Sequence, residues 1–319
     1  MTAPNQLELY RAMFLARLVD ERMWQLIRLG KGHFAVPASG HEASAAFAFA
    51  MDPARDYLAP HYRDLAMLLA WGVTPAEIFC HFFAKANDPA SGGRQMYAHW
   101  GHAALRVISV SSPQPNQVTH AVGIALASKY RADKTVTWCG FGDGSSSKGD
   151  VHESMNFAAI HKLPIVFCVE NNQWAISVHQ SKQMAIENVA DRAAGYGMPG
   201  VVVDGGDVLK VFAAAQKAVA RARRGDGPTL IEMKCARFYA HTSNDDDARY
   251  RTKADVAKLR ATQDPVELFK KQLVKEKKWN AAQDEALRKE LLAQIDDAQA
   301  FAEASPDPIA EDAFKHAYA

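Results

Sequence analysis

The stretch from Thr135 to Ser177, TVTWCGFGDGSSSKGDVHESMNFAAIHKLPIVFCVENNQWAIS, constrains what this chain can fold into more than any other. It opens with a run rich in β-branched and aromatic residues, Thr135 to Phe141, and ends its apolar part with another, Pro164 to Val169. Between them, Asp150 to His161 clusters Met155, Phe157, Ala158 and Ile160 as a helix would. Strand, turn, helix, strand is a βαβ unit with two buried parallel strands. Downstream the alternation continues: a strand over Gly200–Val203, a helix that Asp207 is placed to cap, and a strand over Thr229–Cys235. This pattern predicts an α/β fold with a doubly wound, mostly parallel sheet.

Each strand of the unit ends in polar residues of a particular kind. Gly142, Asp143 and Gly144 follow the first; Glu170, Asn171 and Asn172 follow the second. In open parallel sheets, ligands bind in the crevice beyond the carboxyl ends of the strands, and here both ends carry hard oxygen donors. Asp143 offers a carboxylate, Asn172 an amide oxygen, and the turn after it a backbone carbonyl at Trp174. Glycines on either side of Asp143 let the backbone approach a bulky anion closely. Mg²⁺ takes few protein oxygens and completes its octahedron with phosphate oxygens and water, so the set suggests a Mg²⁺-diphosphate site. Each motif alone is a common turn. Asn172 lies 29 residues beyond Asp143 with a helix and a strand between, and that pairing carries the signal.

GDG followed by NN at this distance resembles the thiamine diphosphate-binding motif. The surrounding residues, FGDGSSSKGDVHESMNFAAIHKLPIVFCVENNQWAIS, look like the alpha subunit of the decarboxylating component of 2-oxo acid dehydrogenase complexes. That group holds the pyruvate, branched-chain 2-oxo acid and acetoin enzymes. The resemblance runs over almost the whole chain, from LYRAMFLARLVDERM to the tryptophan-containing helices near the end. It implies the diphosphate-binding domain of the thiamine diphosphate fold, with thiamine diphosphate and Mg²⁺ as cofactors. The metal would sit on Asp143, Asn172 and the Trp174 carbonyl, with Gly142 and Gly144 against the diphosphate.

Further residues carry over from the same resemblance. Tyr62 and Arg63 match a Tyr-Arg pair that contacts the diphosphate, a role suited to Arg near a helix start. Phe34 matches an aromatic of the substrate pocket. His61 stands where branched-chain relatives often have Gln. Ser112 and Pro113 match a segment over the thiazolium ring, and Gln114 replaces an aliphatic wedge, so it either meets substrate or leaves the wedge to its neighbours. GGRQMYAHWG looks like a loop near the partner subunit, which makes Arg94 structural or interfacial. His241, in ARFYAHTSNDDDARYRT, matches the histidine beside the thiazolium, while Arg237, Asp245 and Tyr250 match residues that order its loop. An imidazole suits such a place because its ordinary pKa lies near working pH.

Bulk properties exclude other classes. A formal net charge of +1 gives no general attraction to nucleic acid or anionic membranes, and no apolar run approaches the roughly 20 residues of a membrane-spanning helix. The start, MTAPNQLELYRAMF, has neither a signal-peptide core nor transit-peptide character, which predicts a cytoplasmic protein. Cys80, Cys139, Cys168 and Cys235 are widely spaced and read as buried thiols. Helical spacing from Gln6 to Leu29 and amphipathic stretches after Asp264 predict helical extensions, and SPDPIAEDAF reads as a mostly extended end. The expected organisation is one domain, residues 1–319, with a core over about 61–256 between extensions 1–60 and 257–319.

Only one such βαβ unit is recognisable. The resemblance therefore implies a beta subunit that supplies the activating glutamate and the pyrimidine pocket, two alpha plus two beta chains, and a lipoyl-bearing acyltransferase core as acceptor. VENNQWAISV and HTSNDDDARYR look closer to branched-chain members, with pyruvate or acetoin as the alternative substrate. Two other classes compete. A dinucleotide-binding protein would want G-x-G-x-x-G at the first turn, which GDGSSSKG lacks. A silent scaffold subunit would not need Asp143, Asn172 and His241 intact.

Overall fold

The computed structural model describes residues 5–315; residues 1–4 and 316–319 of the expected domain lie outside the described residues. Its strands are β1 (Tyr57–Ala59), β2 (Thr137–Gly142), β3 (Ile165–Asn171), β4 (Trp174–Ala175), β5 (Val178–His179), β6 (Gly200–Asp204) and β7 (Thr229–Lys234). Five of them form a sheet in the order β1-β2-β3-β7-β6 with every neighbouring pair parallel, while β4 and β5 make a small antiparallel hairpin. The helices are α1 (Gln6–Arg28), α2 (Ala45–Phe49), α3 (Leu65–Trp71), α4 (Pro75–Phe82), α5 (Gln117–Arg131), α6 (Gly149–Ile160), α7 (Val208–Arg223), α8 (Lys253–Gln263), α9 (Pro265–Lys275) and α10 (Ala281–Ala304).

Strand periodicity divides the core in two. Alternate residues of a strand face opposite sides, and here both sides are apolar. Leu58, Trp138, Val166, Cys168, Ile231 and Met233 join the core that contains α1, α2, α3 and α7. Ala59, Cys139, Phe141, Ile165, Phe167, Val169 and Leu230 join a second core beneath α5 and α6. Crossovers through α5 and α6 thus lie on one face and the α7 crossover on the other, so the winding reverses between β3 and β7. That is the doubly wound arrangement expected, and β3 borders the reversal, where such folds place ligands. Residues of α9 and α10, among them Phe269 and Leu291, belong to the same core as α1.

Local expectations hold where the signal is short-range. Asp207 caps α7, its side chain accepting from the Lys210 backbone N–H at 3.1 Å. All four cysteines are buried and free. Elsewhere the tertiary structure decides the local form. The segment 107–118 holds no strand, only bridges from Val107 to Leu58 and His102, because the chain turns away at once towards Trp100. His120 is exposed on α5. The tail, read as mostly extended, has no regular structure over 306–309 but then forms a 3₁₀ turn, Ala310–Phe314. Among the described residues, no helix is long and apolar enough to cross a membrane.

Candidate functional site

Register brings the two motif tips together. Gly142 of β2 pairs with Glu170 of β3, so the chain leaves one strand at Asp143 and its neighbour at Asn172 side by side. A cleft of about 420 Å³ opens there, lined by both tips and by Gly142, Gly144, Tyr62, Trp174 and His241. The Asp143 loop is fixed through its carbonyl, which accepts from Ser146 Oγ at 2.6 Å and Gln183 Nε2 at 2.7 Å. Its carboxylate faces the backbone N–H groups of Asp143 itself and of Asn172, yet Oδ2 is buried without a partner. Burial pushes the Asp143 pKa up to about 6 against the pull of those N–H groups, Arg237 and Arg63. A buried acceptor left open in this way costs free energy unless a ligand completes it.

Positive charge surrounds that carboxylate. Arg63 is 1 % exposed; its Nη1 donates to the Pro37 carbonyl, its Nη2 to His241, and its Nε has no partner. Arg237, also buried, donates from Nη2 to the Ile176 carbonyl and to Tyr250 Oη, both at 2.9 Å, while Nε and Nη1 lack partners. Burial lowers the Arg237 pKa to about 10, and Arg63 adds to the effect. Two desolvated guanidiniums with spare donors beside one carboxylate fit an anionic ligand.

Below the cleft lies a second buried polar group. His61 Nδ1 is 3.2 Å from Glu170 Oε2, and the His61 backbone N–H donates to Asp64 Oδ2 at 2.7 Å. His61 Nε2 has no partner and lies where a side chain on Gly142 would meet it at 3.3 Å. Burial lowers the His61 pKa to about 3 and raises that of Glu170 to about 7. The ring is therefore neutral.

The loop after β7 reaches back over the cleft. His241 accepts at Nδ1 from Arg63 Nη2 (3.0 Å), which leaves the ring proton on Nε2. Burial first, then Arg63 and Arg237, lowers its pKa to about 3. The His241 backbone N–H donates to Asp245 Oδ2 at 2.8 Å, and Tyr250 Oη donates to the same carboxylate oxygen. Tyr250 also packs on Trp174, ring centroids 5.3 Å apart, tying this loop to the Asn172 tip.

Most residues expected at a site meet here. Phe34, His61, Tyr62, Ser112, Gln114, Gly142, Asp143, Gly144, Asn172, Trp174 and His241 all line the cleft. Tyr62 and Arg63 sit in the turn before α3, not in its first turn. Arg63 does not line the cleft but stands behind His241; Arg237, Asp245 and Tyr250 likewise support the loop from outside. Gln114 is held locally, donating to the Ser111 carbonyl (2.7 Å) and accepting from Gln117 (3.1 Å). Ser112 Oγ lies 2.6 Å from His99 Nε2. Sequence reasoning missed Tyr97, His99, Lys148 and Ile176 on the cleft wall, and His41 behind Asn172. Of these, Lys148 and Ile176 stood close to the GDG and NN motifs and Tyr97 and His99 lay within GGRQMYAHWG, whereas His41 had no such signal.

The donor set suits a metal held jointly with phosphate. Among the described residues there is no group of three or more His, Cys, Asp or Glu able to hold a metal. One carboxylate, one amide and a carbonyl are what Mg²⁺ takes when phosphate and water fill the rest. The two tips also touch directly, since a Cβ on Gly144 would lie 2.7 Å from Ala175 Cβ.

Known proteins resemble this chain in sequence. The chain is 44% identical over 320 residues to the 2-oxoisovalerate dehydrogenase subunit alpha of Bacillus subtilis (strain 168), covering 100% of this chain and 97% of the relative. It is 39% identical over 277 residues to the 3-methyl-2-oxobutanoate dehydrogenase subunit alpha of Mycobacterium tuberculosis, covering 87% and 72%. A pyruvate dehydrogenase E1 component subunit alpha from Staphylococcus aureus is 37% identical over 287 residues, covering 88% and 73%. The family model for the dehydrogenase E1 component matches residues 10–311. With that match spanning nearly the whole chain and the fold wound as described, this chain belongs to the dehydrogenase E1 component family.

Proposed function

We propose that this chain is the alpha subunit of a branched-chain 2-oxo acid dehydrogenase and that its cleft holds thiamine diphosphate through Mg²⁺. The observation that carries the reading is the buried, unpartnered Asp143 Oδ2 beside Asn172 at adjacent strand ends. Asp143, Asn172 and the Trp174 carbonyl hold the metal; Tyr62, Gly142 and Gly144 hold the diphosphate, Arg63 supports it from behind with its unpartnered Nε, and Ser112 lies beside the ring. When bound, thiamine diphosphate supplies the electron sink for loss of CO₂ from a 2-oxo acid. Phe34, His61 and Gln114 form this chain's share of the substrate wall. His241, neutral with its proton on Nε2, donates a hydrogen bond into the cleft while an acyl group passes to a lipoyl arm of the acyltransferase core.

The branched-chain preference rests on the relatives named for 2-oxoisovalerate and 3-methyl-2-oxobutanoate; the pyruvate dehydrogenase relative favours the second reading, pyruvate. The described residues contain one unit of this kind, so a beta subunit completes the site, in an assembly of two alpha and two beta chains. Co-expression with a candidate beta chain, followed by decarboxylation assays on 3-methyl-2-oxobutanoate and pyruvate and a cleavage assay on acetoin that reads acetaldehyde release, tests the reading. A pocket differing by one or two methylenes discriminates about 10- to 200-fold. Faster turnover of pyruvate or acetoin would overturn the substrate, and tight thiamine diphosphate binding with turnover by this chain alone would overturn the shared site.

A further inference from the structure

The structure assigns His41 as the residue that positions Asn172 for metal binding. This rests on the proposed role of Asn172 and goes one step behind it. The Trp174 backbone N–H, which can only donate, lies 3.1 Å from Asn172 Oδ1. That contact identifies the oxygen end of the amide. The other end, Nδ2, is then 3.1 Å from His41 Nε2. An amide N–H also only donates, so His41 Nε2 must present its lone pair and the ring proton must sit on Nδ1. The amide is gripped at both ends, and the second lone pair of Oδ1 is left for a cation.

Burial makes the grip specific. His41 is 1 % exposed and Asn172 7 %, so solvent cannot replace the ring as acceptor. His41 does not line the cleft; it acts through Asn172 and is a positioning residue. Its own place is fixed. The His41 backbone N–H donates to the Ala38 carbonyl at 3.0 Å. Gly40 beside it has φ +102°, and a Cβ there would meet the Ala236 carbonyl oxygen at 1.9 Å, so the turn admits only glycine. Glu42, on the other side, accepts from the Gly40 N–H at 2.8 Å and from Arg17 Nε at 2.6 Å. Arg17 in turn is bound to Asp264 at 2.9 Å, which anchors the His41 turn to α1 and α9. Outer partners that orient a metal ligand typically change metal affinity 10- to 100-fold when removed.

The test uses the full chain assembled with its beta subunit and titrates Mg²⁺ at fixed thiamine diphosphate, followed by calorimetry. His41→Leu, which removes the acceptor, is expected to raise the half-saturating Mg²⁺ about 10- to 100-fold in a chain that still folds. His41→Gln, whose side-chain oxygen has similar reach and can accept from Nδ2, is expected to return it to within a few-fold of wild type. Should leucine prevent assembly, His41→Met carries the same expectation, because a thioether is only a weak acceptor. Wild-type Mg²⁺ dependence in the leucine or methionine variant, or a folded glutamine variant no better than leucine, overturns the role. Asp143→Asn, measured alongside, separates the two readings: if it alone loses Mg²⁺ dependence, His41 is misassigned and the metal site stands; if neither loses it, the metal site falls as well.

Discussion

Arg63 donates from one nitrogen to both the ring and the backbone of His241, at 3.0 Å to Nδ1 and 2.9 Å to the carbonyl oxygen. The pair joins the turn before α3 to the loop after β7, 178 positions apart. A guanidinium cannot act as acceptor, so the contact sets the His241 tautomer as well as its place.

His241→Ala should therefore leave cofactor binding nearly intact, since the Asp143–Asn172 tips are untouched, but slow acyl transfer to a lipoyl acceptor by about 10²- to 10⁴-fold. Separate measurements of thiamine diphosphate affinity and of reductive acylation check this. Undiminished acylation would remove His241 from the proposed role.

The same environment fixes the pH behaviour of that ring. Burial and the two arginines lower the His241 pKa to about 3, whereas an unfolded histidine titrates near 6.5. The unfolded state thus binds protons that the folded ring refuses. Stability from this group is complete above pH about 6.5 and declines as pH falls towards 3. A ring titration by NMR should show His241 neutral at pH 5, and a midpoint near 6.5 would contradict the geometry.

Asp143→Asn should abolish Mg²⁺-dependent thiamine diphosphate binding without unfolding the chain. The carboxylate is buried with one oxygen unpartnered, so neutralising it relieves a desolvation cost, and the thermal midpoint should hold or rise. Calorimetry and thermal melts on the same sample decide the matter. A large drop in midpoint would mean that the carboxylate is structural.

Gly144→Ala is expected to cost about 1–3 kcal/mol, the usual range for overpacking. Its φ is ordinary at −58°; the obstacle is Ala175 Cβ, 2.7 Å from where the new methyl would lie. Adding Ala175→Gly should recover much of the stability and of the cofactor affinity. A double variant no better than the single would show that the clash is not the cause.

Tyr250→Phe should loosen the loop from His241 to Tyr250. The hydroxyl accepts from Arg237 and donates to Asp245, and a net loss of about 1 kcal/mol per bond is expected. Faster hydrogen exchange or proteolysis confined to that loop, with the sheet unaffected, is the expected result.

The sequence by itself determined the elements and the two tips. β2, α6 and β3 fall within two residues of where periodicity predicts them, because strand and helix patterns are set by contacts between near neighbours. Asp143 and Asn172 were legible for the same reason, each standing at a strand end in a glycine- or asparagine-marked turn. What the tertiary structure alone decided are the pairs that cross the fold. His41 meets Asn172 across 131 positions, His61 meets Glu170 across 109 and Arg63 meets His241 across 178. No local pattern encodes such meetings: they follow from the order β1-β2-β3-β7-β6 and the crossovers that bring distant turns to one end of the sheet, where each buried polar atom must find its partner in whatever chain arrives there.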